Sequence, residues 1–113
     1  MGEGEQNMIE IKAIIRRERL KALKDALAER GFYGLTHWPV SGRGKQRGVT
    51  VNGVVYDELP KEMVYIVVHD EHKTAVVTTI IAICQTQPKG TAGDGRIFIT
   101  RLDEGYTISE QLL

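Results

Sequence analysis

Two glycine- and cation-rich segments are the parts of this chain best suited to holding an anion. Gly42-Arg43-Gly44-Lys45-Gln46-Arg47-Gly48 sets three cations and three glycines in seven positions. Glycines let the backbone approach a ligand closely, their amides can form an anion-binding nest, and the cations supply counter-charge for phosphate. No Gly-Lys-Ser/Thr leads into a helix here, so this is not a Walker loop. Gly90-Thr91-Ala92-Gly93-Asp94-Gly95-Arg96 repeats the combination, with Arg96 where the loop runs into a strand. Taken singly, the first segment also reads as a solvated basic turn and the second as an ordinary helix-to-strand connection.

Other chemistries are thinly represented. His37, His69 and His72 have no ligand-type spacing with Cys84, so no metal constellation is visible, and one cysteine excludes an intrachain disulfide. Cys84 falls on the apolar face of a predicted helix and reads as packing. No nucleophile stands beside an obvious base, which argues against an enzyme. Charge is balanced, 15 Lys+Arg against 15 Asp+Glu, which argues against a nucleic-acid partner. No apolar run suits membrane insertion, and the small, acidic residues 1–7 read as a disordered leader rather than a secretory signal. The expectation is a cytoplasmic protein with a single domain over residues 8–113.

The elements that must position the two loops are legible as patterns. Ile9, Ile11, Ala13 and Ile15 alternate as in a strand, and Leu20, Leu23 and Leu27 share a helical face ending at Gly31. Residues 34–41 predict a second strand, which Pro39 demotes to an edge. Met63 to Val68 predicts an apolar strand, Asp70 a cap for a helix carrying Val77, Ile80, Ile81 and Cys84, and Ile97 to Ile99 a last strand. Asn52-Gly53 between Val49-Thr50-Val51 and Val54-Val55-Tyr56 predicts a hairpin, so the central insert is a protruding ribbon with a basic root. Corresponding elements recur roughly 55–60 residues apart, as in a duplicated βαβ unit. The expected fold is α+β, a ferredoxin-like βαββαβ sandwich with a long protruding loop. Met63, Tyr65 and Val67 make the face away from the helices apolar too, which predicts a homo-oligomer with its bare sheet faces together.

The stretches Ile9 to Arg16, Gly34-Leu35-Thr36, Gly42 to Gly48, Leu59-Pro60-Lys61 and Gly93-Asp94-Gly95-Arg96-Ile97-Phe98 resemble PII signal-transduction proteins from Met8 to about Ile108. The last is similar to the family's Gly-Asp-Gly-Lys-Ile-Phe signature. The basic loop and Tyr56-Asp57-Glu58-Leu59-Pro60-Lys61-Glu62-Met63 look like the subgroup encoded alongside nitrogenase. The resemblance implies a homotrimer that binds ATP or ADP between subunits, with magnesium and 2-oxoglutarate alongside ATP. It implies output through the loop at residues 44–58 onto a nitrogen-metabolism target, here nitrogenase, with a paralogous PII subunit as a further partner. The alternative is a divergent PII-like protein of altered ligand preference that regulates a transporter or carbon metabolism.

By position, the resemblance implies that Gly34, Leu35 and Thr36 line an adenosine pocket with Ile14 and Val67. Gly42, Gly44, Lys45 and Gln46 approach the phosphates, Gln46 also reaching magnesium and the oxo-acid. Lys61 pairs with a carboxylate of 2-oxoglutarate, and Gly93, Gly95 and Arg96 form a second phosphate wall. Three departures stand out. Asn52-Gly53 occupies the tip of a shortened loop where some members carry a modifiable tyrosine. The stretch from Gln87 to Ala92 is longer than the usual phosphate loop. Thr107 and Ser109 replace two arginines, which implies a weaker hold on triphosphate, with Arg101 and Lys89 as the cations left to compensate.

Overall fold

The computed structural model describes residues 7–43, 49–56 and 58–110, with no side-chain surroundings for 49–51 and 54–56. Strand β1 (Met8–Arg16) passes through a 3₁₀ turn into helix α1 (Leu20–Glu29), followed by β2 (Thr36–Gly42). A ribbon of β3 (Val49–Val51) and β4 (Val54–Tyr56) precedes β5 (Leu59–His69), a second 3₁₀ turn, α2 (Lys73–Cys84) and β6 (Gly95–Arg101). The main sheet has the order β2-β5-β1-β6 with every neighbouring pair antiparallel. This is the ferredoxin-like arrangement expected from the patterns.

Local chemistry explains much of it. Ile9, Ile11, Ala13 and Ile15 all point to the helix layer and are buried, where they meet Val64 and Ile66 of β5 and Leu23 and Leu27 of α1. Helix α1 ends at Gly31, whose φ of +89° is cheap only for glycine. Its N–H donates to the Ala28 carbonyl and the Phe32 N–H to that of Leu27, both at 2.9 Å, the paired bonds of a Schellman end. Asn52 and Gly53 have φ of +51° and +81°, the type I′ turn that the right-handed twist of the ribbon favours. Pro39 lies on an edge strand, where its missing N–H breaks no ladder.

Two details differ from the sequence patterns. Asp70 does not cap α2: the helix starts through the turn at Asp70–His72 with no side-chain cap, and Asp70 instead faces Arg101 at 3.5 Å. The buried stripe of α2 is Val76, Thr79, Ile80 and Cys84, while Val77 is only partly buried and Ile81 is exposed. Apolar residues surround this helix, so periodicity does not choose its inner face. Thr79 is tolerated inside because its hydroxyl donates to the Ala75 carbonyl at 2.7 Å. Burial raises the Cys84 thiol to about 11, consistent with packing rather than reactivity.

Both helices bury one face of the sheet. The other carries Trp38 and Val40 from β2, Met63, Tyr65 and Val67 from β5, Ile14 from β1 and Phe98 from β6. None of these side chains is buried, and Trp38 and Phe98 are 41% and 48% exposed.

Candidate functional site

The antiparallel register gathers four chain segments at one end of the sheet. Gly42 lies opposite Leu59, Arg16 opposite Lys61, Ile14 opposite Arg96, and Ile15 opposite Gly95. They surround a cleft of about 340 Å³ whose walls include Gly42, Arg43, Lys61, Gly93, Gly95 and Arg96. Backbone amides in a glycine-rich loop together with fixed guanidinium and ammonium groups are the donor set that a phosphate chain requires.

Lys61 is buried, and its ammonium donates to the Gly93 carbonyl, tying β5 to the loop between α2 and β6. Burial lowers its pKa, and the nearby Arg16 charge acts in the same direction. Arg16 in turn donates from Nη2 to the Ala92 carbonyl at 3.2 Å and from Nε to Asp94 at 3.3 Å. Gly95 sits at φ +125°, and a Cβ there would run into the Ile14 carbonyl. Its glycine is therefore demanded by close approach to β1, before any ligand is considered. Among the described residues, nothing lies within 4 Å of the place that a Cβ on Gly34 or Gly42 would take.

Asp94 is the most heavily bonded side chain of the cleft. It accepts the Thr86 hydroxyl at 2.6 Å and the Thr86 and Thr91 backbone N–H groups at 2.9 Å each. The Thr86 hydroxyl is the chief cause that holds its pKa far below the usual carboxylate range; partial burial opposes, while both backbone amides and Arg16 add. A depressed carboxylate stabilises the fold above its unfolded pKa, ordinarily 3.8, and that contribution is lost as pH falls toward the folded value. In thermal melts at fixed protein concentration, the wild-type protein should therefore lose more stability than Asp94→Asn on acidification below pH ~4. Parallel losses for the two proteins would contradict this.

The cleft unites Ile14, Gly42, Lys61, Gly93, Gly95 and Arg96 among the residues singled out from sequence. Gly44, Lys45 and Gln46 lie outside the described residues, as do the other residues of the 44–58 loop at 47, 48 and 57. Gly34, Leu35, Thr36 and Val67 are not brought to it: Thr36 pairs with Tyr65, at the opposite end of β2 from Gly42. Val67 is six positions along β5 from Lys61, roughly 20 Å at strand rise. Within its own chain Arg101 lies away from this cleft, at the far end of β6, opposite Ile9 and beside Asp70. The cation to which the resemblance assigns no role is Arg43, which lines the cleft. Asp94, Thr86 and Arg16 also escaped the sequence reading as a group. The available signal was an aspartate between two glycines with threonines upstream, a residue prone to accept local backbone N–H bonds.

The family model described as nitrogen regulatory protein P-II matches residues 8–111. The chain is 43% identical over 98 residues to the nitrogen fixation nifHD region glnB-like protein 1 of Methanococcus maripaludis, covering 87% of this chain and 90% of the relative. It is 48% identical over 101 residues to the nitrogen regulatory protein P-II 2 of Methanothermobacter thermautotrophicus, covering 86% and 85%. Among solved structures, that of Arabidopsis thaliana PII bound to citrate superposes with a TM-score of 0.72 at 24% identity, over 92% of this chain and 82% of the other.

Proposed function

The chain belongs to the P-II family of nitrogen regulatory proteins, a family of signal-transduction regulators, and from that premise we propose that it is a sensor of adenine nucleotide. ATP or ADP lies between subunits of a homotrimer, and the loop at residues 44–58 carries the bound state to a nitrogen-metabolism target.

The observation that carries this reading is the division of the site. The cleft end of one chain offers phosphate donors, Gly93, Gly95 and Arg96, with Gly42, Arg43 and Lys61 across from them. The adenosine candidates lie away from them: Thr36, with Gly34 and Leu35 before it, is opposite Tyr65 at mid-sheet, and Val67 is six positions along β5 from Lys61. One chain thus holds two half-sites, and a neighbouring copy completes each. The uncovered apolar face with Trp38, Met63 and Phe98 supplies a surface on which copies meet.

The chemistry of the donors fits the ligands. Amides and guanidinium groups suit phosphate oxygens, and the Lys61 ammonium suits a carboxylate of 2-oxoglutarate, which would exchange for the Gly93 carbonyl that Lys61 now holds. The Gln46 carboxamide is a hard oxygen donor suited to magnesium, which would balance triphosphate charge. With Thr107 and Ser109 in place of arginines, the third phosphate gains little, so ADP is expected to bind about as well as ATP without 2-oxoglutarate. Nitrogenase is the target supported by the names of the relatives, which belong to nifHD regions, and a paralogous PII subunit is a further partner.

Calorimetry with ATP, ADP and AMP, with and without magnesium and 2-oxoglutarate, tests the sensing role. Absence of binding at millimolar nucleotide would overturn it. Arg96→Ala should weaken ADP by roughly 10–100-fold, the worth of a charge-assisted bond to phosphate, with the oligomer unchanged in light scattering. Unaltered affinity would remove Arg96 from the site. Retention of nitrogenase components on the immobilised protein, altered by nucleotide, tests the target.

A further inference from the structure

We infer that Asp94 is a positioning residue of the cleft: its carboxylate clamps Thr86, Thr91 and Arg16 together and so fixes the Gly93–Arg96 wall. The inference rests on the nucleotide reading above for its function, but the clamp itself is a matter of geometry.

Oδ2 accepts the backbone N–H groups of Thr86 and Thr91, and Oδ1 accepts the Thr86 hydroxyl and the Arg16 Nε–H. These donors come from three places: the exit of α2, the middle of the loop, and the end of β1. One side chain therefore sets the loop in relation to both the helix layer and the sheet. The loop closes tightly around it. Gly90, at φ +70°, donates to the Thr86 carbonyl, and a Cβ there would come within 3.4 Å of Asp94 Oδ2. Gln87, Pro88 and Lys89 are exposed between the two clamped amides. The loop thus turns Gln87, Pro88 and Lys89 to solvent, while Gly93, Gly95 and Arg96 line the cleft.

The clamp also disposes of a charge. A free carboxylate in a wall beside Arg43, Lys61 and Arg96 would oppose phosphate. Here both oxygens are taken by donors of the loop and by Arg16, so the negative charge is compensated within the wall itself. Asp94 supports the site by holding its wall in place, as a supporting layer of hydrogen bonds commonly does.

Asparagine is the informative replacement. It has one oxygen in place of two, so in either orientation its NH₂ group faces a pair of donors. In Asp94→Asn, hydrogen exchange at the Thr86 and Thr91 amides should accelerate, and ADP affinity should fall about tenfold, with the oligomer retained. Thr86 does not line the cleft, so Thr86→Val should lower affinity in the same direction and Thr86→Ser, which keeps the hydroxyl, should restore it. Unchanged exchange in Asp94→Asn would overturn the clamp. Faster exchange with unchanged ADP affinity in both Asp94→Asn and Thr86→Val would overturn the positioning role. If the wild-type protein takes up no ADP, the nucleotide reading and the positioning role fall together, while the exchange experiment still decides the clamp.

Discussion

Met63→Asp should yield a folded monomer that no longer retains ATP or ADP, in contrast to the nucleotide-binding trimer proposed for the wild-type protein. Met63 occupies the middle of the uncovered sheet face, between Ile14 on β1 and Trp38 on β2. It is only partly buried within one chain, so an aspartate there keeps much of its hydration and the helix-side core is untouched. In an assembly that packs these faces together, the same carboxylate loses its water between the apolar side chains of Ile14 and Trp38, while the Lys61 ammonium on the same face is held on the Gly93 carbonyl. The cost of several kcal/mol per desolvated, unpaired charge, repeated in each subunit, exceeds what an ordinary interface tolerates. Nucleotide affinity should fall with the assembly, because the adenosine candidates do not line the cleft of their own chain. A circular dichroism spectrum like that of wild type, together with a monomeric mass and no calorimetric signal, is the expected set. A Met63→Asp trimer would mean that subunits meet elsewhere, and a monomer that still binds ADP would mean that one chain suffices.

Gly95→Ala should be strongly destabilising. At φ +125° an L-residue is strained, and its Cβ would meet the Ile14 carbonyl, a backbone atom that cannot turn aside. Strain and forced separation of β1 from β6 together cost roughly 2–5 kcal/mol. That corresponds to a Tm lower by roughly 10 °C or more for a domain of this size. Gly42→Ala is the control, since nothing among the described residues lies within 4 Å of its Cβ: its Tm should match wild type, and any loss should appear in ADP affinity alone. Equal melting of Gly95→Ala and wild type would show that the close approach of β1 and β6 is not required.

The contrast between these glycines marks how far the sequence could be read. Both loops stood out because glycine and cation cluster in each, and that composition is local. It does not distinguish a glycine that the fold demands, Gly95, from one that the fold leaves free, Gly42. The difference depends on β1, which reaches Gly95 from the other end of the chain. Lys61 is similar. Its place in a resemblance suggested a carboxylate ligand, but only the packing of the loop against β5 shows its ammonium held on the Gly93 carbonyl.

By itself the sequence determined whatever a few neighbouring residues settle among themselves. Alternation along β1, the Asn52-Gly53 hairpin and the glycine end of α1 are decided by backbone sterics and by hydrogen bonds within a turn. The tertiary structure decided three things. It selected Val76, Ile80 and Cys84 as the inner stripe of a helix that is apolar nearly all round, since only the partner surface can break that tie. It turned Asp70 from a cap toward Arg101. And it drew Arg16 to Asp94 across 78 positions of sequence, making a carboxylate in a phosphate-type loop part of its scaffold. Such bonds are chosen by which donors the strands bring within reach, and register between distant strands is a property of the folded sheet.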